Sequence, residues 1–229
     1  MTIPEVIVSV VSTLVGSGAL WQGIKWAKER KSRKLSNVFI RENNLYANYQ
    51  DGEVKQLTFL NADKLPVLVR KRSKVVFFRA MKPADGQLDF NEFNIMSIDI
   101  KTLIEETITD QKPFPAGSSL KFEIIHPRNP ILSEDQRSLL FIVEKYTTAS
   151  ELVQVDIKSG KWKALFSVEA FDIITSGKYK GKLLVGYSDI GSNGRQMFYK
   201  ISEYNGSPVK KFDNEMEYRK FRSAALTRE

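Results

Sequence analysis

A chain of 229 residues that is 42% hydrophobic can bury the core of one generous domain and still carry an appendage. It has no cysteine, which excludes disulfides, thiolate chemistry and cysteine-ligated metals, and its one histidine leaves a metal site little but carboxylates to draw on. The net charge of +8 is unevenly spread, because Lys25, Lys28, Arg30, Lys31, Arg33 and Lys34 face only Glu5 and Glu29 in the first 36 residues, which hold half the excess.

The chain opens with Ile3 to Trp21, an apolar run close to the length that crosses a bilayer as a helix, with Glu5 its only charge. The anchor residues expected are Val6, Ile7, Val8, Val10, Val11, Leu14, Val15, Leu20, Trp21 and Trp26, the two tryptophans falling at interfacial depth. Lys25, Lys28, Arg30, Lys31, Arg33 and Lys34 follow at once and would contact lipid headgroups. A cleaved signal peptide carries its positive charge before the apolar run, so this order disfavours cleavage. The positive-inside rule then leaves the main domain in the cytoplasm. A buried or docking helix in a soluble protein is one alternative, since Ser9, Ser12, Thr13, Ser17 and Gln22 add polarity, and a basic amphipathic helix lying on the membrane surface is another, disfavoured because the apolar residues go all round.

From about Val38 the pattern changes to short strands. Leu45–Gln50 and Glu53–Thr58 flank Asp51-Gly52, a hairpin turn in which glycine accepts a positive φ. Arg70-Lys71-Arg72-Ser73-Lys74 falls between strands and reads as a solvated turn rather than a phosphate-binding patch. Lys74–Arg79, Ile95–Ile100 and Leu103–Thr109 form a three-strand series interrupted by a loop from Lys82 to Asn91. A longer connection, Asp110 to Asn129, holds a candidate outer strand at Leu120–Ile125. Ser138–Glu144, Glu151–Asp156 and Lys161–Phe166 repeat the series, with Lys158-Ser159-Gly160 as the second turn. Lys182–Tyr187, Met197–Glu203 and Val209–Phe212 repeat it again, with Asn205-Gly206 at the last turn. Aligned on Tyr46, Met96, Val153 and Phe198, the middle strands recur every 45 to 57 residues or so, the range of propeller blades. After Phe212, Asp213 or Asn214 caps a helix to about Leu226, whose Tyr218, Phe221 and Leu226 would dock on the domain or bind a partner.

Two stretches carry a family resemblance. Ile131-Leu132-Ser133-Glu134-Asp135-Gln136-Arg137-Ser138-Leu139-Leu140-Phe141 resembles the turn and strand that open a repeat of TolB-like and WD-type β-propellers. Gly52-Glu53-Val54-Lys55-Gln56-Leu57-Thr58 resembles the segment that closes one. The resemblance spans residues 43 to 212 and implies architecture rather than chemistry. It also implies a periplasmic setting, the alternative to the cytoplasmic one that the charge order favours.

The expected fold is mostly β: antiparallel meander repeats forming a small or open β-propeller-like domain over 37–212. A membrane helix and basic segment precede it over 1–36, and a short helical tail follows over 213–229. Four repeats are the minimum for closure, and an open arc would leave strand edges to be covered by terminal segments or another subunit.

Catalytic signals are weak. His126 reads as a structural or surface residue, since no Gly-x-Ser-x-Gly elbow accompanies it. Gly177-Lys178-Tyr179-Lys180-Gly181-Lys182 lacks the spacing and the Ser or Thr of a phosphate loop. Asp99, Asp156 and Glu169 are scattered carboxylates, and Asp99 and Asp156 hold equivalent repeat positions, as turn residues would. The expectation is a membrane-anchored, protein-binding scaffold rather than an enzyme, with no catalytic, cofactor-binding or metal-binding residues and no cofactor. Its expected partners are proteins, other copies of the chain among them, and membrane lipid, but not nucleic acid. A propeller-type hydrolase or carbohydrate-binding protein is the alternative.

Overall fold

The computed structural model describes residues 34–81, 89–109, 124, 126–144, 150–191 and 194–226. The apolar run and the cations from Lys25 to Arg33 lie outside them, as does the expected strand at Leu120–Ile125 apart from Ile124. Among the described residues no helix is long and apolar enough to cross a membrane. Two compact units emerge: residues 1–37 with 47–55, and residues 38–46 with 56–229.

In the first unit the expected Asp-Gly turn is present. Gly52 has φ +85°, the Tyr49 N–H donates to the Glu53 carbonyl at 2.9 Å, and Asp51 Oδ1 accepts the Glu53 N–H at 3.1 Å. The strands β1 (Leu35–Arg41), β2 (Asn44–Tyr49) and β3 (Val54–Gln56) run in the order β1-β2-β3 and are divided between the two units.

The second unit holds three four-stranded antiparallel meanders. They comprise β4 (Asp63–Val69) to β7 (Glu105–Thr109), β8 (Arg128–Leu132) to β11 (Trp162–Ser167), and β12 (Ala170–Ile173) to β15 (Pro208–Lys211). The strands between are β5 (Lys74–Met81), β6 (Asp89–Asp99), β9 (Ser138–Glu144), β10 (Ser150–Asp156), β13 (Leu183–Gly191) and β14 (Gly194–Ser202). Repeated four-stranded meanders are propeller-like architecture. β6 begins at Asp89, so the expected Lys82–Asn91 loop gives up its last three residues to the strand.

The apolar runs explain the stacking. β5 and β9 are apolar on both faces, as strands covered on both sides must be. Val76, Phe78, Phe93 and Ile95 pack against Leu139, Phe141 and Val153 of the next sheet, with the rings of Phe78 and Phe141 meeting edge-on at 5.0 Å. The opposite face of that sheet, Leu140, Ile142 and Leu152, packs on Phe171, Leu183 and Val185. Burying each such side chain contributes roughly 1.5–3 kcal/mol. Outer strands such as β7, Glu105-Glu106-Thr107, are exposed and polar.

The far face of the last sheet is covered by α1 (Glu215–Ala225). Asn214 caps it by accepting the Glu217 N–H at 2.9 Å. Ala225, Tyr218 and Phe221 meet Leu184, Ile201, Tyr199 and Phe212, and the Thr175 N–H donates to the Ala225 carbonyl at 3.1 Å.

Strand order sorts the reversals. Lys74 pairs with Asp99, Ser138 with Asp156 and Leu183 with Ser202. The turns 70–73, 100–104, 133–137, 157–161, 174–182 and 203–207 therefore share one end of the unit. The Glu42–Asn43 turn and the β3–β4 loop lie at the opposite end, where the Asp63 N–H donates to the Asn43 carbonyl at 2.8 Å.

Candidate interaction site

The β3–β4 loop holds two adjacent exposed apolar side chains of the second unit. Asn44 and Asn61 bond side chain to side chain, and Asn44 Oδ1 also accepts the Asn61 N–H at 2.9 Å. Thr58 is buried and its Oγ1 accepts the Leu45 N–H at 2.9 Å, while Gln56 Nε2 donates to the Thr58 carbonyl at 2.8 Å. Between these fastenings Phe59 and Leu60 are 72% and 60% exposed. A loop held on both sides keeps two large apolar side chains in water. No expectation from the sequence attaches to this pair, although an adjacent Phe and Leu directly after the repeat-closing Leu57-Thr58 are a visible signal.

The expected partner-binding residues of the tail are engaged within the chain. The Tyr218 ring stacks on Tyr199 at 4.0 Å, and Phe221 lies 5.3 Å from Phe212 and 6.0 Å from Tyr179. Leu226 closes the helix, its N–H donating to the Arg222 carbonyl at 3.0 Å. Arg222 Nε donates to Asp172 at 3.0 Å. Of these residues, Tyr218 and Phe221 are docked on the last sheet through their side chains. Met216, 80% exposed, is the large apolar residue the helix turns outward.

The carboxylates weighed as catalytic groups also have partners. Asp99 Oδ1 accepts the N–H groups of Lys101 and Thr102, both at 2.9 Å. Asp156 Oδ1 does the same for Lys158 at 3.1 Å and Ser159 at 2.7 Å. Both organise the turn that follows them, one sheet apart. Glu169 accepts from Ser188 at 2.9 Å and pairs with Arg195. His126 is exposed with φ +42°, and no cluster of three or more His, Asp or Glu suited to a metal occurs among the described residues. Of the predicted headgroup contacts only Lys34 is described, and it is exposed.

No family model and no curated protein matches the chain. Among solved structures it is similar to TolB from Acinetobacter baumannii, at 18% identity and TM-score 0.49 over 80% of this chain and 42% of that one. It is also similar to the β-propeller domain of the Trilobed protease from Pyrococcus furiosus, at 14% identity and TM-score 0.46 over 79% and 57% of the two chains. A third is an oligogalacturonate lyase in complex with manganese, at 16% identity and TM-score 0.48 over 75% and 43%. The chain spans about half the length of these structures.

Proposed function

We propose that the chain is a membrane-anchored, propeller-like scaffold that binds other proteins, copies of itself among them, and does no chemistry of its own. The supporting observation is the pinned β3–β4 loop with Phe59 and Leu60 in solvent. A rigid loop loses little conformational freedom on binding, and burying two such side chains would contribute roughly 1.5–3 kcal/mol each. The turn duties of Asp99 and Asp156 fit a repeat that carries structure rather than catalysis. The apolar run with its trailing tryptophans and cations supports the anchor and, by charge order, a cytoplasmic domain.

The test is the mass of the detergent-extracted full chain in solution, with Phe59 replaced by a photo-crosslinking residue. A species heavier than one chain, crosslinked through position 59 and lost in Leu60→Asp, is expected. A strict monomer that hydrolyses a glycoside or peptide, and stops doing so when Asp99, Asp156 or Glu169 is replaced, would overturn the reading.

A further inference from the structure

The short-turn end of the second unit gathers cations that are far apart in sequence. Arg70, Lys71, Lys101, Lys158, Lys161 and Lys178 are all exposed there; none makes an ion pair within 4.0 Å among the described residues, although the charge of Lys71 acts on Asp135 and Lys178 Nζ lies 5.5 Å from the Tyr179 ring centre. The carboxylates of the same end already have partners: Glu106 with Lys74, Glu134 with Lys180 at 3.0 Å, and Glu203 with Lys182. Asp135 accepts from the Ser133 hydroxyl at 2.6 Å, and Asp99 and Asp156 are tied to the N–H groups of their own turns.

These turns form a continuous surface. The Lys71 N–H donates to Gln136 Oε1 at 3.1 Å, joining the inner turns of two successive sheets, and the Lys180–Glu134 pair joins the next. The Ile100 N–H donates to the Ser73 carbonyl at 3.0 Å and the Ile157 N–H to the Arg137 carbonyl at 2.9 Å, which fixes the outer turns beside the inner ones. Two apolar side chains stand among the cations, since Leu103 and Ile104 follow Lys101 and Ile104 is 61% exposed.

Chain direction supplies the second argument. The Glu42–Asn43 turn lies at the opposite end, beside Asp63. Followed backward from Arg41, β1 runs in the direction of the basic end as far as Val38, the first residue of this unit. The segment before it carries the apolar run and the juxtamembrane cations.

We propose that this basic turn end is a lipid-facing surface, lying against the anionic headgroups of the bilayer that holds the N-terminal segment. The inference rests on the anchor reading above. Exposed lysines and arginines are drawn to an anionic bilayer within about a Debye length of its surface, and an exposed isoleucine among them can enter the interface. The Phe59–Leu60 loop would then face away from the membrane, toward protein partners.

The chain has no cysteine, so single labels can be placed without background. The full-length protein, as Ile104→Cys or Leu60→Cys, is labelled with an environment-sensitive dye and reconstituted into phosphatidylcholine vesicles carrying a headgroup quencher, with and without phosphatidylserine. Quenching is expected at position 104 when phosphatidylserine is present, at several times the level seen at position 60. It should fall to the position-60 level in high salt and in an Arg70→Ala, Lys71→Ala, Lys158→Ala, Lys178→Ala variant whose strand spectrum is unchanged. Flotation with both vesicle types and no quenching at 104 overturns the surface and leaves the anchor standing. Flotation only with phosphatidylserine, lost in the fourfold variant, supports the surface and overturns the anchor. Equal quenching at both positions, or flotation with neither vesicle, overturns the proposal.

Discussion

Arg79 Nε donates to Asp63 Oδ1 at 2.6 Å and Nη2 to Oδ2 at 3.1 Å, a two-point pair that ties β5 to the first residue of the innermost strand β4. The Asp63 side chain is completely buried. Glu105 on the outer strand accepts from the same guanidinium, so one side chain links three strands of the sheet. Burial opposes the charge on Arg79, but the hydrogen bonds it donates to Asp63 and Glu105 outweigh it and hold the group above its ordinary value. Removing Asp63 takes away the buried partner and leaves the partly buried guanidinium to Glu105 alone. Asp63→Ala is expected to cost about 3–5 kcal/mol in urea unfolding, and the double variant with Arg79→Met less than that. A double variant at least as unstable as Asp63→Ala would refute this account.

Gly160 tests the packing of one sheet on the next. Its φ is +67°, and a Cβ there would collide with the Ile108 carbonyl oxygen of β7. Gly177 has φ +76° with nothing near the same position. Gly177→Ala should therefore carry only the backbone cost, about 1 kcal/mol, whereas Gly160→Ala should lose roughly 2–4 kcal/mol. Thermal melts of the two variants decide it, and equal losses would show that the contact with β7 does not matter.

The turn aspartates make stability fall in acid. The N–H of Thr102 foremost, then that of Lys101, holds Asp99 below its ordinary value, and the Ser133 hydroxyl and the Arg137 N–H do the same for Asp135. A carboxylate whose folded value is depressed contributes stability that is complete above its unfolded value, near about 3.9, and is lost as pH falls through the folded one. The urea midpoint should thus drop between about pH 5 and pH 2, and drop less in a variant carrying Asp99→Asn and Asp135→Asn. A midpoint with the same pH slope in both proteins would remove these residues from the explanation.

Ending the chain at Phe212 should uncover Leu184, Tyr199 and Ile201. The truncated protein is expected to melt lower and to self-associate on a sizing column. Asn214→Ala, which removes only the cap, should cost about 1 kcal/mol and leave the mass unchanged. A truncated chain that melts and migrates like the parent would show that α1 does not stabilise the last sheet.

Strand identity was legible where the physics is local. Apolar runs such as Ser138–Glu144, and turn residues such as Gly160 and Asn205-Gly206, marked eleven of the strands, ten of them to within a few residues, while β6 begins six residues before the expected Ile95. The innermost strands β4 and β8 escaped because each is broken by a proline after a residue in the left-handed region, Leu65-Pro66 and Asn129-Pro130, at a register shift. That spoils the alternation by which a strand is recognised. β12 has only four residues. The basic end was legible only in part: Arg70 to Lys74 was visible as a cluster, but its union with Lys101, Lys158 and Lys178 depends on which turns the topology brings together.

A helix on the far face of the last sheet occupies the place where another sheet would have to stack. Growth of this architecture is therefore governed by position. Duplicating residues 128–167, one sheet from innermost to outermost strand, would insert a module between two faces already suited to receive it. Appending the same module after Lys211 would have to evict α1 and find substitutes for Tyr218 and Phe221. A sheet inserted between existing ones should therefore be tolerated better than one added after Lys211, provided that Phe212 to Leu226 stays on the face it covers.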